Sequence, residues 1–230
     1  MADAAASDIL INNLGSIIAA VAALGTASMG LVDATKAFWG GPSNFGFGAI
    51  RTGITPFLPS TPDAKAFSRA VALQTLKANW MNGVPKADQK AKAKALIHLG
   101  LSQNNAAALA NTAGVDPGKL TSLAKKTESG ETPTPDEINV LGQFDVVVSA
   151  VLDNAYERAE QQYRNASKLL ASIVSTVLGV VGSWLIGASG WLGLIVGLTA
   201  TPLAPVAKDL ATSLQAAVTA VQAVRRGGRR

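Results

Sequence analysis

Two long stretches of the chain carry no charge, and they dominate its pattern. The first covers residues 9–32, bounded by Asp8 and Asp33. A helix needs about 20 predominantly apolar residues to cross a bilayer, so this run predicts a transmembrane helix. It is rich in alanine and also holds Asn12, Asn13, Ser16, Thr26 and Ser28. It does not read as a cleaved signal peptide, because Asp3 and Asp8 precede it where such a signal begins with basic residues. The second run is longer and covers residues 169–207, bounded by Lys168 and Lys208. As one helix it would rise about 58 Å, nearly twice the hydrocarbon thickness. The chain must therefore turn, and Gly187, Ala188, Ser189 and Gly190 offer the place. Two spans result, 169–186 and 191–207. Trp184 and Trp191 flank the turn, at the level where aromatic side chains gather in a membrane interface. Pro202 and Pro205 fall near the end of the third helix, where they kink or stop it.

Between the runs the pattern is helical. Residues 40–62, GGPSNFGFGAIRTGITPFLPSTP, read as a Gly/Pro-rich juxtamembrane loop carrying Phe45, Phe47, Ile50, Phe57 and Leu58. Its apolar residues either lie in the interface or bury part of the loop. Thr61, Pro62 and Asp63 form a helix start, predicting a helix to about Asn82 with Phe67, Val71, Leu73, Leu76 and Trp80 as its apolar positions. An Ala/Lys helix follows from Lys86 and stops at Gly100. Ser102 caps a short helix through about Asn111, and Asp116 with Pro117 opens another to about Lys126, with a polar loop from 126 to 134. Thr134, Pro135 and Glu137 make the clearest local signal, a capping box with proline at the first helical position. Nothing breaks the pattern after it. One helix of roughly 50 residues, about 75 Å, should run from Pro135 into the second span. Its apolar stripe, Ile138, Leu141, Phe144, Val148, Val151, Leu152 and Ala155, needs a partner: the helices of 62–126 or a second subunit. Residues 208–224 form an amphipathic pattern on Leu210, Leu214, Val218 and Val221.

No alternating strand pattern occurs. The reading is an all-α integral membrane protein, with three transmembrane helices and a small cytosolic helical domain between the first and second. Its parts are 1–39, the first span; 40–62, the loop; 63–134, the cytosolic helical domain; 135–187, the long helix entering the second span; 188–207, the third span; and 208–230, the amphipathic helix and basic tail.

Composition agrees with a membrane setting. Charged residues make up 15% of the chain, against about 25% in an average soluble domain. The mean hydropathy is +0.26. There is no cysteine, which excludes disulfides, thiol catalysis and thiolate metal sites, and a single histidine excludes a histidine metal cluster. Residues 1–8 hold no Lys or Arg, residues 33–168 hold 15, and residues 208–230 hold 5. Basic residues stay on the cytoplasmic side. The N-terminus is therefore expected outside, with the middle domain and C-terminus in the cytoplasm. The net charge of +5 is explained by this topology, and nucleic acid is not expected as a partner.

Little in the sequence points to catalysis. His98 ends an Ala/Lys helix without a recognisable nucleophile motif. Asp153, Glu157 and Glu160 share a helical face, but Arg158 and Arg164 lie beside them, which makes a solvated charged face. There is no phosphate-loop or HExxH motif, and no metal or cofactor is expected. Small residues stand out instead. Gly179, Ser183 and Gly187 recur every four residues, and Gly193 and Gly197 form GxxxG, which suits close helix packing in lipid. Asn12, Asn13, Ser16, Ser172, Ser175 and Thr176 are the candidate pore-lining residues. Arg225, Arg226, Arg229 and Arg230 are placed to meet anionic lipid head groups.

Phe144 and Asp145, then Leu152, Asp153 and Asn154 with Glu157 and Arg158, then Gln162, Tyr163 and Arg164 before a hydrophobic span form an ordered series. With Gly197, Leu198, Thr199 and Ala200 ahead of a proline, this series resembles a group of uncharacterised bacterial inner-membrane proteins with an acidic-x-x-x-Arg motif before a membrane span. The resemblance covers residues 140–220. Gln162 stands where the group often has Trp, and its aromatic-rich last span has no counterpart here. The resemblance implies a multi-pass inner-membrane location and transfers no activity. The expected function is a non-catalytic scaffold or accessory subunit, in contact with lipid and assembled with itself or with other membrane proteins. The alternative is a homo-oligomeric ion channel or pore, and a membrane-bound enzyme ranks last.

Overall fold

The computed structural model describes residues 2–59 and 68–203, with side chains from residue 16 onward. All the regular structure among them is helical: α1 (Ala2–Trp39), α2 (Ser43–Ile54) with a 3-10 turn at Thr55–Phe57, α3 (Arg69–Met81), α4 (Lys86–Leu99), α5 (Gln103–Ala113), α6 (Pro117–Ser129) and α7 (Pro135–Leu185). An apolar helix, α8 (Gly190–Leu203), follows. The chain divides into two compact units. Of the described residues, those within 42–164 form one, and 2–41 with 165–203 form the other. Two helices, α1 from residue 16 and α7, are long and apolar enough to cross a membrane.

The unit of residues 42–164 is a helical domain whose core gathers Phe47, Ile50 and Ile54 of α2, Leu76 of α3, Ile97 of α4, Leu120 of α6 and Phe144 and Val148 of α7. The stripe on α7 thus finds its partner within the chain. Phe144, Val148, Leu152 and Ala155 are buried as the spacing predicts, and Val140, Tyr156 and Ala159 join them. Ile138, counted in that stripe, is exposed instead.

Within the segment read as a loop, residues 43–57 are helical. Its glycines read as turn formers, yet three of them belong to helix α2, and two of those serve close packing. A Cβ on Gly53 would lie 2.8 Å from the Ala155 Cβ. One on Gly46 would lie 2.6 Å from the Trp80 ring and 2.7 Å from the Ala159 carbonyl. Bare backbone at these positions lets α2 settle on α7 and α3, and Phe47, Ile50 and Ile54 at helical spacing enter the core. Trp80 fixes the start of α2 by donating its indole N–H to the Ser43 carbonyl at 2.8 Å. Helix α3 also differs from the reading. The Thr61, Pro62 and Asp63 signal and Phe67 lie outside the described residues. The helix begins at Arg69, capped by Ser68, whose hydroxyl accepts from the Val71 amide. Helix α6 continues past Lys126 to Ser129 before Gly130 ends it.

The capping box at the start of α7 has a second role. The Glu137 carboxylate accepts from the Thr134 amide at 2.6 Å, and the Thr134 hydroxyl accepts from the Glu137 amide. The same carboxylate takes the Ser122 hydroxyl at 2.7 Å and the Lys126 ammonium at 2.9 Å, both from α6. One side chain caps α7 and ties it to α6. These hydrogen bonds, Ser122's first among them, lower its pKa to about 2. A depressed carboxylate contributes stability above its unfolded pKa and loses it as pH falls through the folded value. Acidification from about 4.5 to about 2 should therefore lower the thermal midpoint of the wild-type chain. Glu137→Gln should flatten this acid limb while lowering the midpoint at pH 7. Circular-dichroism melts at stepped pH in mild detergent would check both.

Candidate functional site: a small-residue helical hairpin

The C-terminal half of α7 and α8 form an antiparallel hairpin. Its turn comes where two glycines bracket two small residues. Helix α7 ends at Leu185, and Gly187 adopts a left-handed backbone (φ +70°), which glycine accepts without strain. The Ala188 amide then bonds back to the Ser183 carbonyl at 2.8 Å. Gly187, read both as part of the turn and as a packing residue, holds the first role and not the second: a Cβ there would meet nothing within 4 Å.

The seam of the hairpin is built from backbone. Cβ atoms placed on Gly179 and Gly193 would each fall inside the van der Waals envelope of the other's carbonyl oxygen. A Cβ on Gly193 would also overlap the Ser183 hydroxyl, and one on Gly197 would lie 2.6 Å from the Ser175 carbonyl. Four of the five packing candidates, Gly179, Ser183, Gly193 and Gly197, thus stand at the contact. Such close approach is how helices associate in lipid, where apolar side chains gain little by meeting one another.

Ser175 is also part of the seam, and its reading as a pore-lining residue is corrected. It is fully buried, its hydroxyl 2.7 Å from the Gly197 carbonyl and 3.0 Å from the Thr201 hydroxyl. With its polar atom committed between the two helices, it has nothing left to offer a lumen. The Thr176 hydroxyl donates to the Ser172 carbonyl at 2.7 Å, a bond within its own helix. Ser172 is half-buried and Ser16 is exposed on α1. The side chains of Asn12 and Asn13, Pro205, the 208–224 pattern, and Arg225, Arg226, Arg229 and Arg230 lie outside the described residues.

Large apolar side chains take the opposite face. Ile173, Val177, Ile195 and Leu198 are each more than half exposed, Trp184 is 77% exposed and Trp191 70%. The buried positions of the hairpin are small: Ala171, Ser175, Ser183, Ala200 and Thr201. Helix α1 shares this character. Its buried residues, Gly25, Ser28 and Val32, form one narrow stripe, and Ile17, Leu31 and Phe38 are exposed.

Of the residues weighed as a catalytic site, His98, Asp153 and Glu160 belong to a ladder of ion pairs, and Glu157 does not. Lys86, Lys90 and Lys94 recur every four residues along α4. They reach Glu160 at 3.1 Å, Asp153 at 2.6 Å and Asp145 at 3.3 Å on α7, in antiparallel order. His98 continues the series, its Nε2 2.6 Å from Asp145 Oδ1 and its ring edge-on to Phe144. Arg164 pairs with Glu160 at 3.1 Å, the i,i+4 contact the sequence suggests. Asp145 thus holds His98 through one oxygen and Lys94 through the other. Sequence reasoning misses this pairing because α5, α6 and their connections separate the two halves of each rung along the chain. The signal that could have found it is the spacing of four in Lys86, Lys90, Lys94 and His98. No family model, curated protein or solved structure matches the chain.

Proposed function

We propose that the chain is a non-catalytic integral membrane protein of the bacterial inner membrane, assembling with itself or with a larger membrane complex. One observation carries the reading: the hairpin turns its large apolar side chains outward and closes on small residues. In water this order would be inverted, since burial of large apolar groups drives soluble packing. Monomeric soluble proteins also rarely expose apolar patches beyond a few hundred Å². Hydrocarbon makes the arrangement favourable. The reading places three spans near residues 9–32, 169–186 and 191–207. The N-terminus and the 187–190 turn face outward; the helical domain and C-terminus are cytoplasmic. The alternative, a homo-oligomeric pore, needs a polar face toward a lumen. The seam hydroxyls of Ser175 and Thr201 are already committed to each other, which favours the scaffold reading.

The absence of native cysteine makes the test clean. Ser189→Cys, in the turn, should react with an impermeant maleimide in intact spheroplasts. Ser129→Cys, in the helical domain, should react only after lysis. Reaction of both in intact cells, or release of the chain by carbonate, would overturn the reading. The mass of the particle extracted in mild detergent then separates the forms. A homo-oligomer or a mixed particle supports assembly, and a strict monomer that resists crosslinking in native membranes counts against it.

A further inference from the structure

Within the helical domain, α2 and α7 enclose an open groove of about 1020 Å³. Its walls are apolar and small over much of their length: Gly48 and Ala49 from α2, and Val147 and Val151 from α7. Toward the C-terminal end of this stretch of α7 the lining turns polar, with Arg158 and Gln162. From Val147 to Arg158 the helix rises about 16 Å. The groove is thus graded along its axis, apolar around Val147 and Val151, interrupted by Thr52 and Asn154, and cationic at the Arg158 end.

The basic residues of α4 that face α7 are each matched by a carboxylate. Arg158, by contrast, is exposed and forms no ion pair with any described residue, so its guanidinium remains available at the mouth of an apolar channel. A guanidinium is a rigid planar fork that pairs two N–H bonds with the two oxygens of a carboxylate. We propose that this groove binds a long-chain carboxylic acid, with its carboxylate on Arg158, level with Gly48, and its single acyl chain laid along Val151 and Val147. The volume lies at the upper limit of small-molecule sites, about 300–1,000 Å³. The site depends only on the helical domain and stands or falls separately from the membrane reading.

Gly48 supplies the decisive variant. A Cβ there meets nothing within 4 Å, and its backbone is ordinary helix, so a large side chain can enter the groove without straining the fold. The full-length chain, reconstituted in lipid nanodiscs, is photolysed with a palmitic acid probe carrying a mid-chain diazirine, and the adducts are mapped by mass spectrometry. Adducts at residues 52–53 and 146–151 are expected, competed by unlabelled palmitate. Gly48→Phe should cut them at least tenfold with an unchanged melting curve. Arg158→Gln should weaken half-saturation about tenfold. The methyl ester of the probe should label the wild-type chain no better than the acid labels Arg158→Gln. Adducts confined to residues 16–39 and 169–203, or groove adducts indifferent to Gly48→Phe, would overturn the site. Equal labelling by acid and ester would overturn the assignment of a carboxylate to Arg158.

Discussion

Replacing Gly193 with leucine is expected to open the α7–α8 hairpin. The new Cβ would overlap both the Gly179 carbonyl and the Ser183 hydroxyl, and the first of these is backbone that cannot rotate away. The helices must separate, and the bonds that bridge the seam from Ser175 to Gly197 and Thr201 go with the contact. Overpacking of well-packed sites costs about 1–3 kcal/mol, and more where backbone must move. Each lost interhelical bond in a membrane adds about 0.6 kcal/mol. Together these amount to a loss of about 3 kcal/mol or more. Disulfide trapping can read it. The Ser175 and Thr201 hydroxyls lie 3.0 Å apart, so Ser175→Cys with Thr201→Cys should oxidise readily in membranes and shield both thiols from a mass-tagged maleimide. Adding Gly193→Leu should leave most of the thiols reactive. Gly182→Leu, on the same hairpin but with nothing within 4 Å of its Cβ, should leave the crosslink intact. Full crosslinking with Gly193→Leu would mean that the seam is not where the two glycines place it.

These residues show what a sequence discloses and what it withholds. The turn at 187–190 was legible because the uncharged run 169–207 is too long for one crossing, and only one place in it offers glycines bracketing two small residues. The capping box at Thr134 and Glu137 was legible because it is local, confined to a single helical turn. Four of the seam residues were legible because their spacing of four marks a helix face. Helix α2 was not. Its glycines carry two meanings, turn and close approach, and only the presence of Trp80 and Ala159 beside Gly46 decides between them. Among the described residues α8 (Gly190–Leu203) is a shorter apolar helix than α1 and α7. Ser175 is hard to read along the chain for a related reason. A serine in an apolar helix suits a lumen or a neighbouring backbone, and the choice depends on Gly197 across the turn. The cross-helix ladder, too, is a pairing of distant positions, visible along the chain only as lysines at intervals of four.

Phe144 and Asp145 stand next to each other on α7 and should differ widely when replaced. Phe144 is fully buried, with Phe57 edge-on at 6.4 Å and the His98 ring at 6.1 Å. Truncating a buried phenylalanine to alanine costs about 3–5 kcal/mol through lost transfer free energy and the cavity left behind. For a domain of this size that lowers the melting midpoint by about 10–20 °C. Asp145 joins His98 and Lys94 from a position one-third exposed to water. Solvent screens such pairs, which are worth about 0–1 kcal/mol each, so Asp145→Asn should lower the midpoint by only a few degrees. Thermal melts of the full chain in one mild detergent, followed by circular dichroism, compare the two directly. The contrast tests which interaction docks α4 and α7. If apolar burial dominates, Phe144→Ala unfolds the helical domain well before Asp145→Asn does. If the two variants melt together, the ladder carries a share of the stability that its exposure would not allow, and the charged rungs rather than the aromatic contacts hold these helices in register.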